Sequence, residues 1–125
     1  MIDHISFRVG NLERSRAFYE SLGFEFLAGP IGPEPVAVLK HPAGVVLNLI
    51  LNGTAKDAPN VLMDVAEKHA GYTHMSLLVD DLDAATAELG RLGIAITEGP
   101  VEFGDVRFSF VRDPDGNVVE LHQAG

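Results

Sequence analysis

The sequence predicts an α+β protein built from two β-α-β-β-β modules in tandem. Three observations carry that prediction. First, the chain repeats itself. At a spacing of 70 residues His4 aligns with His74, Ser6 with Ser76, Val9 with Val79, Leu12 with Leu82, Ala17 with Ala87 and Leu22-Gly23 with Leu92-Gly93. Further on the spacing becomes 72, and Pro42, Gly44, Val46 and Leu49 align with Pro114, Gly116, Val118 and Leu121. That period is too long for a solenoid and reads as one module duplicated. Second, each copy opens on an alternating stretch with the period of a strand. Third, a capping residue, an apolar stripe at helical spacing and a glycine stop follow at once.

Taken in order, residues 2–9 put Ile2, His4, Ser6 and Arg8 on one face of a strand and Ile5, Phe7 and Val9 on the other. Asn11 caps a helix whose stripe is Leu12, Ala17, Phe18, Tyr19 and Leu22, and Gly23 stops it. Residues 24–28 form a second strand. The segment 29–35 is rich in Gly and Pro and reads as a loop, too poor in donors for a central strand. Residues 36–40 and 45–51 flank a turn at 41–44, which is a hairpin signal. The stretch 52–70 has no counterpart, and the spacing of Val61, Leu62, Val65 and Ala66 predicts a short connecting helix there. The second copy repeats the order, with strands at 73–79, 94–97, 106–111 and 117–122 and a helix capped by Asp81 that ends near Leu92. The Asp-Pro-Asp-Gly sequence at 113–116 is a turn. One domain spanning 1–125 is expected, with module 1 at 1–51, a linker at 52–70 and module 2 at 71–125.

Composition removes several function classes. No apolar run approaches the roughly 20 residues of a bilayer span, and the repeat starts too early to leave room for a signal peptide. Cysteine is absent, so thiolate nucleophiles, disulfides and Cys-ligated metals are out and a reducing cytoplasm fits. A formal charge of −9 argues against a nucleic-acid partner. The expected partner is a small molecule, with neither nucleic acid nor membrane.

Strand parity then points to a site. His4, Ser6 and Arg8, His74 and Ser76, Asn48, and Glu120 with His122 all face away from the apolar residues of their strands. Each helix covers the apolar face of its module, so these residues line the concave side of a cupped, half-barrel sheet. Duplication pairs His4 with His74 and Asn48 with Glu120. Two imidazoles and a carboxylate make the ligand set of a facial triad, suited to Fe, Mn, Co, Ni or Zn.

Residues 3–6 (Asp-His-Ile-Ser) with the 11–19 helix, 71–74 (Gly-Tyr-Thr-His) and 113–121 (Asp-Pro-Asp-Gly-Asn-Val-Val-Glu-Leu) resemble motifs of the vicinal oxygen chelate superfamily, also called the glyoxalase/bleomycin resistance/dioxygenase superfamily. The resemblance covers nearly all of the chain outside 52–70. It implies one divalent metal ion per site, held by His4, His74 and Glu120, with Glu120 also catalytic. Asn48 takes the fourth place, as a weak ligand or as a substrate contact. Glyoxalase I has a glutamate there, and an asparagine is no general base.

The leading reading is a small metal-dependent lyase or isomerase of the glyoxalase I type, acting on a substrate with vicinal oxygens. A fosfomycin-type thiol transferase, an extradiol-type dioxygenase and a structural relic are alternatives, and a bleomycin-resistance-like drug-binding protein is the non-enzymatic one. Ser6, Ser76, Arg8 and His122 are further candidates for substrate contact. Arg8 either anchors an anion or pairs with an acid at the rim. The small relatives imply a homodimer with shared sites, in which His4 of one chain joins His74 and Glu120 of its mate.

Overall fold

Side-chain caps start both helices. Asn11 Oδ1 accepts from the backbone N–H of Arg14 at 2.9 Å, and Asp81 Oδ1 from that of Ala84 at 3.0 Å. Each cap satisfies a donor that the first helical turn cannot. The helices are α1 (Leu12–Ser21) and α2 (Leu82–Arg91), and each is followed by a glycine with positive φ, 96° at Gly23 and 83° at Gly93. Any side chain there would be strained. The computed structural model describes residues 1–125, which divide into two compact units, Met1–Ala58 and Pro59–Gly125.

The first unit runs β1 (Ile5–Arg8), α1, β2 (Glu25–Ile31), β3 (Val36–Lys40) and β4 (Val46–Ile50). The second runs β5 (His74–Leu78), α2, β6 (Glu98–Phe103), β7 (Val106–Arg112) and β8 (Val118–Gln123). Each unit folds into a four-stranded sheet of equivalent order, β1-β4-β3-β2 and β5-β8-β7-β6. First and last strands pair in parallel, and the remaining pairs are antiparallel. The α+β class and the doubled βαβββ order are as the sequence predicts.

The pleat gives each sheet two faces. In the first unit Ala37, Leu39, Leu47 and Leu49 are fully buried, as is Tyr19 of α1. The Tyr19 ring lies 5.4 Å from that of Phe7, which fastens α1 to β1. In the second unit Val111, Val119 and Leu121 share the core with Leu82 and Leu89 of α2, which lies against β7 and β8. On the opposite face of each sheet, burial is intermediate at Asn48 and Glu120. No helix is long and apolar enough to cross a membrane.

Three local expectations are corrected. The stretch around 61–66 is turn and bend, not helix: Val61 and Ala66 stay exposed, so no packed apolar face sustains more than the one turn that Asn60 caps. Asn60 Oδ1 accepts from the N–H groups of Leu62 and Met63, and its Nδ2 donates to the Gly116 carbonyl. Residues 94–97 are not a strand: the Ile94 N–H is taken by the Leu89 carbonyl at the end of α2, and bonding to β7 starts at Thr97. The strand β6 follows at Glu98–Phe103. Finally, β2 continues through Gly29, Pro30 and Ile31, inside the expected loop. It is an edge strand with register shifts, where a missing donor is tolerated.

Leu49→Ala and Leu121→Ala should each lower unfolding free energy by roughly 2–5 kcal/mol, since each empties a fully buried position under a sheet. Urea denaturation of the two variants measures this. A loss under about 1 kcal/mol at either position would contradict its placement in the core.

Candidate active site

The site residues of the second unit are placed by strand register. Pairing of β5 with β8 sets Ser76 opposite Glu120 and Leu78 opposite His122. The turn before β8 is held by buried Asp113, whose Oδ1 accepts from the backbone N–H groups of Asp115 and Asn117 at 2.9 Å. This fixes where β8 begins and which of its residues face away from α2.

Glu120 is the centre of the cluster. Its side chain is 14% exposed. Oε2 accepts from Ser76 Oγ at 2.8 Å and lies 3.0 Å from His122 Nδ1. Oε1 lies 3.3 Å from His74 Nε2. His74 is oriented from behind, with Nδ1 2.9 Å from Thr73 Oγ1. Four of the residues expected from parity, His74, Ser76, Glu120 and His122, are thus brought together.

The first unit repeats the register with other chemistry. Ser6 stands opposite Asn48, as Ser76 stands opposite Glu120, so an amide occupies the place of the carboxylate. His4 precedes β1 by one residue, and its Nδ1 lies 2.7 Å from Asp3 Oδ2. Arg8 donates from Nε to Asn52 Oδ1 at 2.7 Å and from a terminal nitrogen to Glu34 Oε1 at 3.0 Å, and Asn52 Nδ2 donates to the same Glu34 oxygen at 3.2 Å. The arginine therefore clamps β1 to the loop after β2.

His74 and Glu120 have the chemistry and the spacing of neighbouring metal ligands. Two ligands at roughly 2.0–2.2 Å from one ion stand about 2.8–3.6 Å apart when they subtend a right or tetrahedral angle. The 3.3 Å between Nε2 and Oε1 falls in that range. The contact to Thr73 is the kind of outer support that fixes a ligating imidazole. No three His, Asp or Glu side chains of the chain are grouped so as to hold an ion. His122 approaches Glu120 through the other oxygen, so it flanks the carboxylate without completing a triad.

Three side chains on this face escaped the sequence reading. Phe110 is the cross-strand partner of Glu120, and Phe108 of His122. Arg112 shares their parity and is bound by two acids, Glu98 at 2.6 Å and Asp64 at 2.9 Å. The alternation Val106, Phe108, Phe110, Arg112 was visible in the sequence. Assigning it to this face needs the β7–β8 register.

The family model of the Glyoxalase/Bleomycin resistance protein/Dioxygenase superfamily matches residues 1–121. The chain is 32% identical to a probable lactoylglutathione lyase of Vibrio cholerae, over 96% of this chain and 88% of that one. It is 30% identical to the mitochondrial methylmalonyl-CoA epimerase of Bos taurus, covering 98% of this chain and 74% of that one. A glyoxalase/dioxygenase from Nostoc punctiforme, of known crystal structure, superposes with a TM-score of 0.79 at 25% identity, over all of this chain and 91% of that one.

The Arg8 clamp has a pH signature. Hydrogen bonds from Arg8, then from Asn52, hold the Glu34 carboxyl below the ordinary glutamate value. A depressed carboxyl stabilises the fold above its unfolded value, and that contribution is lost as pH falls through the lowered one. Arg8→Leu should return Glu34 toward the ordinary range, read by carbon NMR titration of its side-chain carboxyl. An unchanged titration would show that the clamp does not form in solution.

Proposed function

The chain belongs to the Glyoxalase/Bleomycin resistance protein/Dioxygenase superfamily, and we propose that it is a metal-dependent lyase or isomerase of the glyoxalase type. Its substrate carries oxygens on adjacent carbons, and it works as a cytoplasmic homodimer. The observation that supports this best is the Glu120 carboxylate, with Ser76 and His122 on one oxygen and the His74 imidazole at ligand spacing from the other. Relatives named for lyase and epimerase activity point to the same reaction classes.

In this reading His4, His74 and Glu120 hold the ion. A bound divalent ion would supply Lewis acidity toward the two substrate oxygens. The chain's own groups do the rest. Ser76 and His122 hold Oε2 and so fix the Glu120 carboxylate, which takes a proton from one of the two oxygen-bearing carbons and returns it to the other. Asn48 cannot share this duty, because an amide is not a base near neutral pH. One carboxylate must therefore do both transfers, which keeps the proton on one face of the substrate. Asn48 instead offers a carbonyl oxygen and two N–H donors to a bound oxygen.

Protein purified without a histidine tag should bind a divalent ion in calorimetric titration with Mn2+. His74→Ala and Glu120→Ala should each weaken that binding at least about tenfold, the least expected for loss of a direct ligand. Asn48→Glu should tighten it by roughly tenfold, a charged oxygen replacing a neutral one. Wild-type protein that binds no Mn2+ or related ion would end the reading.

The dimeric arrangement has its own test. Each unit leaves large apolar side chains exposed, among them Ile5 and Ile31 in the first and Leu78 and Phe103 in the second, and a symmetric partner would cover such surface. We assign each site His4 from one chain and His74 with Glu120 from its mate. Mixing His4→Ala chains with Glu120→Ala chains should then restore Mn2+ binding, because each heterodimer regains one complete site. Two inactive chains that stay inactive on mixing would show that sites are not shared.

A further inference from the structure

Beside Glu120 the face opposite α2 is aromatic. Phe110 and Phe108 are half-buried on β7, next to Glu120 and His122. The Phe110 ring meets the His74 ring edge-on at 5.2 Å and the Phe108 ring edge-on at 5.8 Å. Phe108 in turn lies almost parallel to the His122 imidazole, at 9° and 6.5 Å. Four rings therefore form a continuous wall along the carboxylate. The equivalent positions of the first sheet carry Val36, Val38 and Ile50, so that face is apolar as well.

The same surface has no guanidinium to receive an anion. Arg112 donates to Glu98 from both terminal nitrogens, at 3.1 and 2.6 Å, and to Asp64 at 2.9 Å. The other arginines of the second unit are bound by Asp83 and Glu88, and the Lys68 ammonium donates to the Val65 carbonyl. On the first sheet Arg8 is held by Glu34 and Asn52, and Lys40 stands opposite Glu25. Residues 59–125 contain twelve Asp and Glu against four Lys and Arg. An anionic substrate would approach a like-charged unit whose arginines are already paired.

We infer that the substrate is an uncharged aromatic compound with vicinal oxygens, an aryl hydroxyketone, seated against the Phe108–Phe110 wall with its oxygens toward Glu120. This rests on the proposed function for the position of the reacting oxygens. Glutathione adducts carry two carboxylates and coenzyme A thioesters carry phosphates. Both need cationic partners in fork geometry that this surface commits elsewhere. A neutral aryl group needs only apolar area and ring contacts.

Calorimetry of the untagged, Mn2+-loaded protein with 2-hydroxy-1-phenylpropan-1-one and with S-lactoylglutathione tests this directly. The hydroxyketone should bind at least about tenfold more tightly, and Phe110→Ala should weaken it by about tenfold. Phe110→Leu keeps apolar volume while removing the ring, and should also weaken it if the alanine variant folds poorly. The double variant Glu98→Gln, Asp64→Asn releases Arg112 and should strengthen S-lactoylglutathione binding. The inference is overturned if S-lactoylglutathione binds wild type as tightly as the hydroxyketone. Unchanged hydroxyketone affinity in both Phe110 variants overturns it too. The Mn2+ titration reads the metal site separately. Protein that takes up no ion but still prefers the hydroxyketone, with that preference lost in the Phe110 variants, would sink the metal reading and support the aromatic seat.

Discussion

Parallel pairing between the first and last strand of each unit is the constraint on which the rest depends. It sets Ser76 opposite Glu120 and Ser6 opposite Asn48. Because side chains alternate, a slip of one residue in β8 would turn Glu120 toward α2 and Val119 and Leu121 away from it. That would bury a carboxylate among Val111, Leu82 and Leu89 while exposing two core residues. The register is therefore enforced by the apolar face and used by the polar one. Core packing and site geometry are a single condition seen from two sides of a sheet.

Duplication keeps that condition and frees the rest. Caps, glycine stops and strand order match between the units, since each is demanded by the backbone. The faces away from the helices have diverged: Asn48 answers Glu120, Ile50 answers His122, and Val38 and Val36 answer Phe110 and Phe108. Little of the core rests on these positions, so substitution there leaves the fold intact. The carboxylate, the flanking imidazoles and the rings are concentrated in the second unit. The first offers His4 and an amide.

What was legible in the sequence follows from range. Alternation at 2–9 and 73–79, the caps Asn11 and Asp81 and the stops Gly23 and Gly93 are local signals; the caps and stops appear in the fold, and the strands appear shortened, to Ile5–Arg8 and His74–Leu78, which leaves His4 outside β1. The shared face of His74, Ser76, Glu120 and His122 was legible too, because parity needs only counting within a strand. Longer reach was lost. Glu34 lies 26 residues from Arg8, in a Gly-Pro loop, and nothing local marks it as the partner. The apolar spacing at 61–66 resembled a helix, but periodicity does not show whether an apolar face finds a surface to pack on, and Val61 and Ala66 stay exposed. Phe108 and Phe110 lay in an expected strand with no face assigned to them, and only the β7–β8 register sets them beside Glu120 and His122.

Charge placement completes the account. Arg112 has the parity to serve a ligand, yet its side chain is only 16% exposed and two carboxylates hold it. In that position it ties β6 and the segment before β5 to β7, which is structural work. Glu120 is then left on this face with Ser76 and imidazoles as partners and no Lys or Arg. A carboxylate among rings, without a guanidinium, favours a compact cation over an organic anion. In the proposed reading that preference and the aromatic wall would act on different parts of one bound molecule: the carboxylate would govern what holds the oxygens, and the rings what carries them.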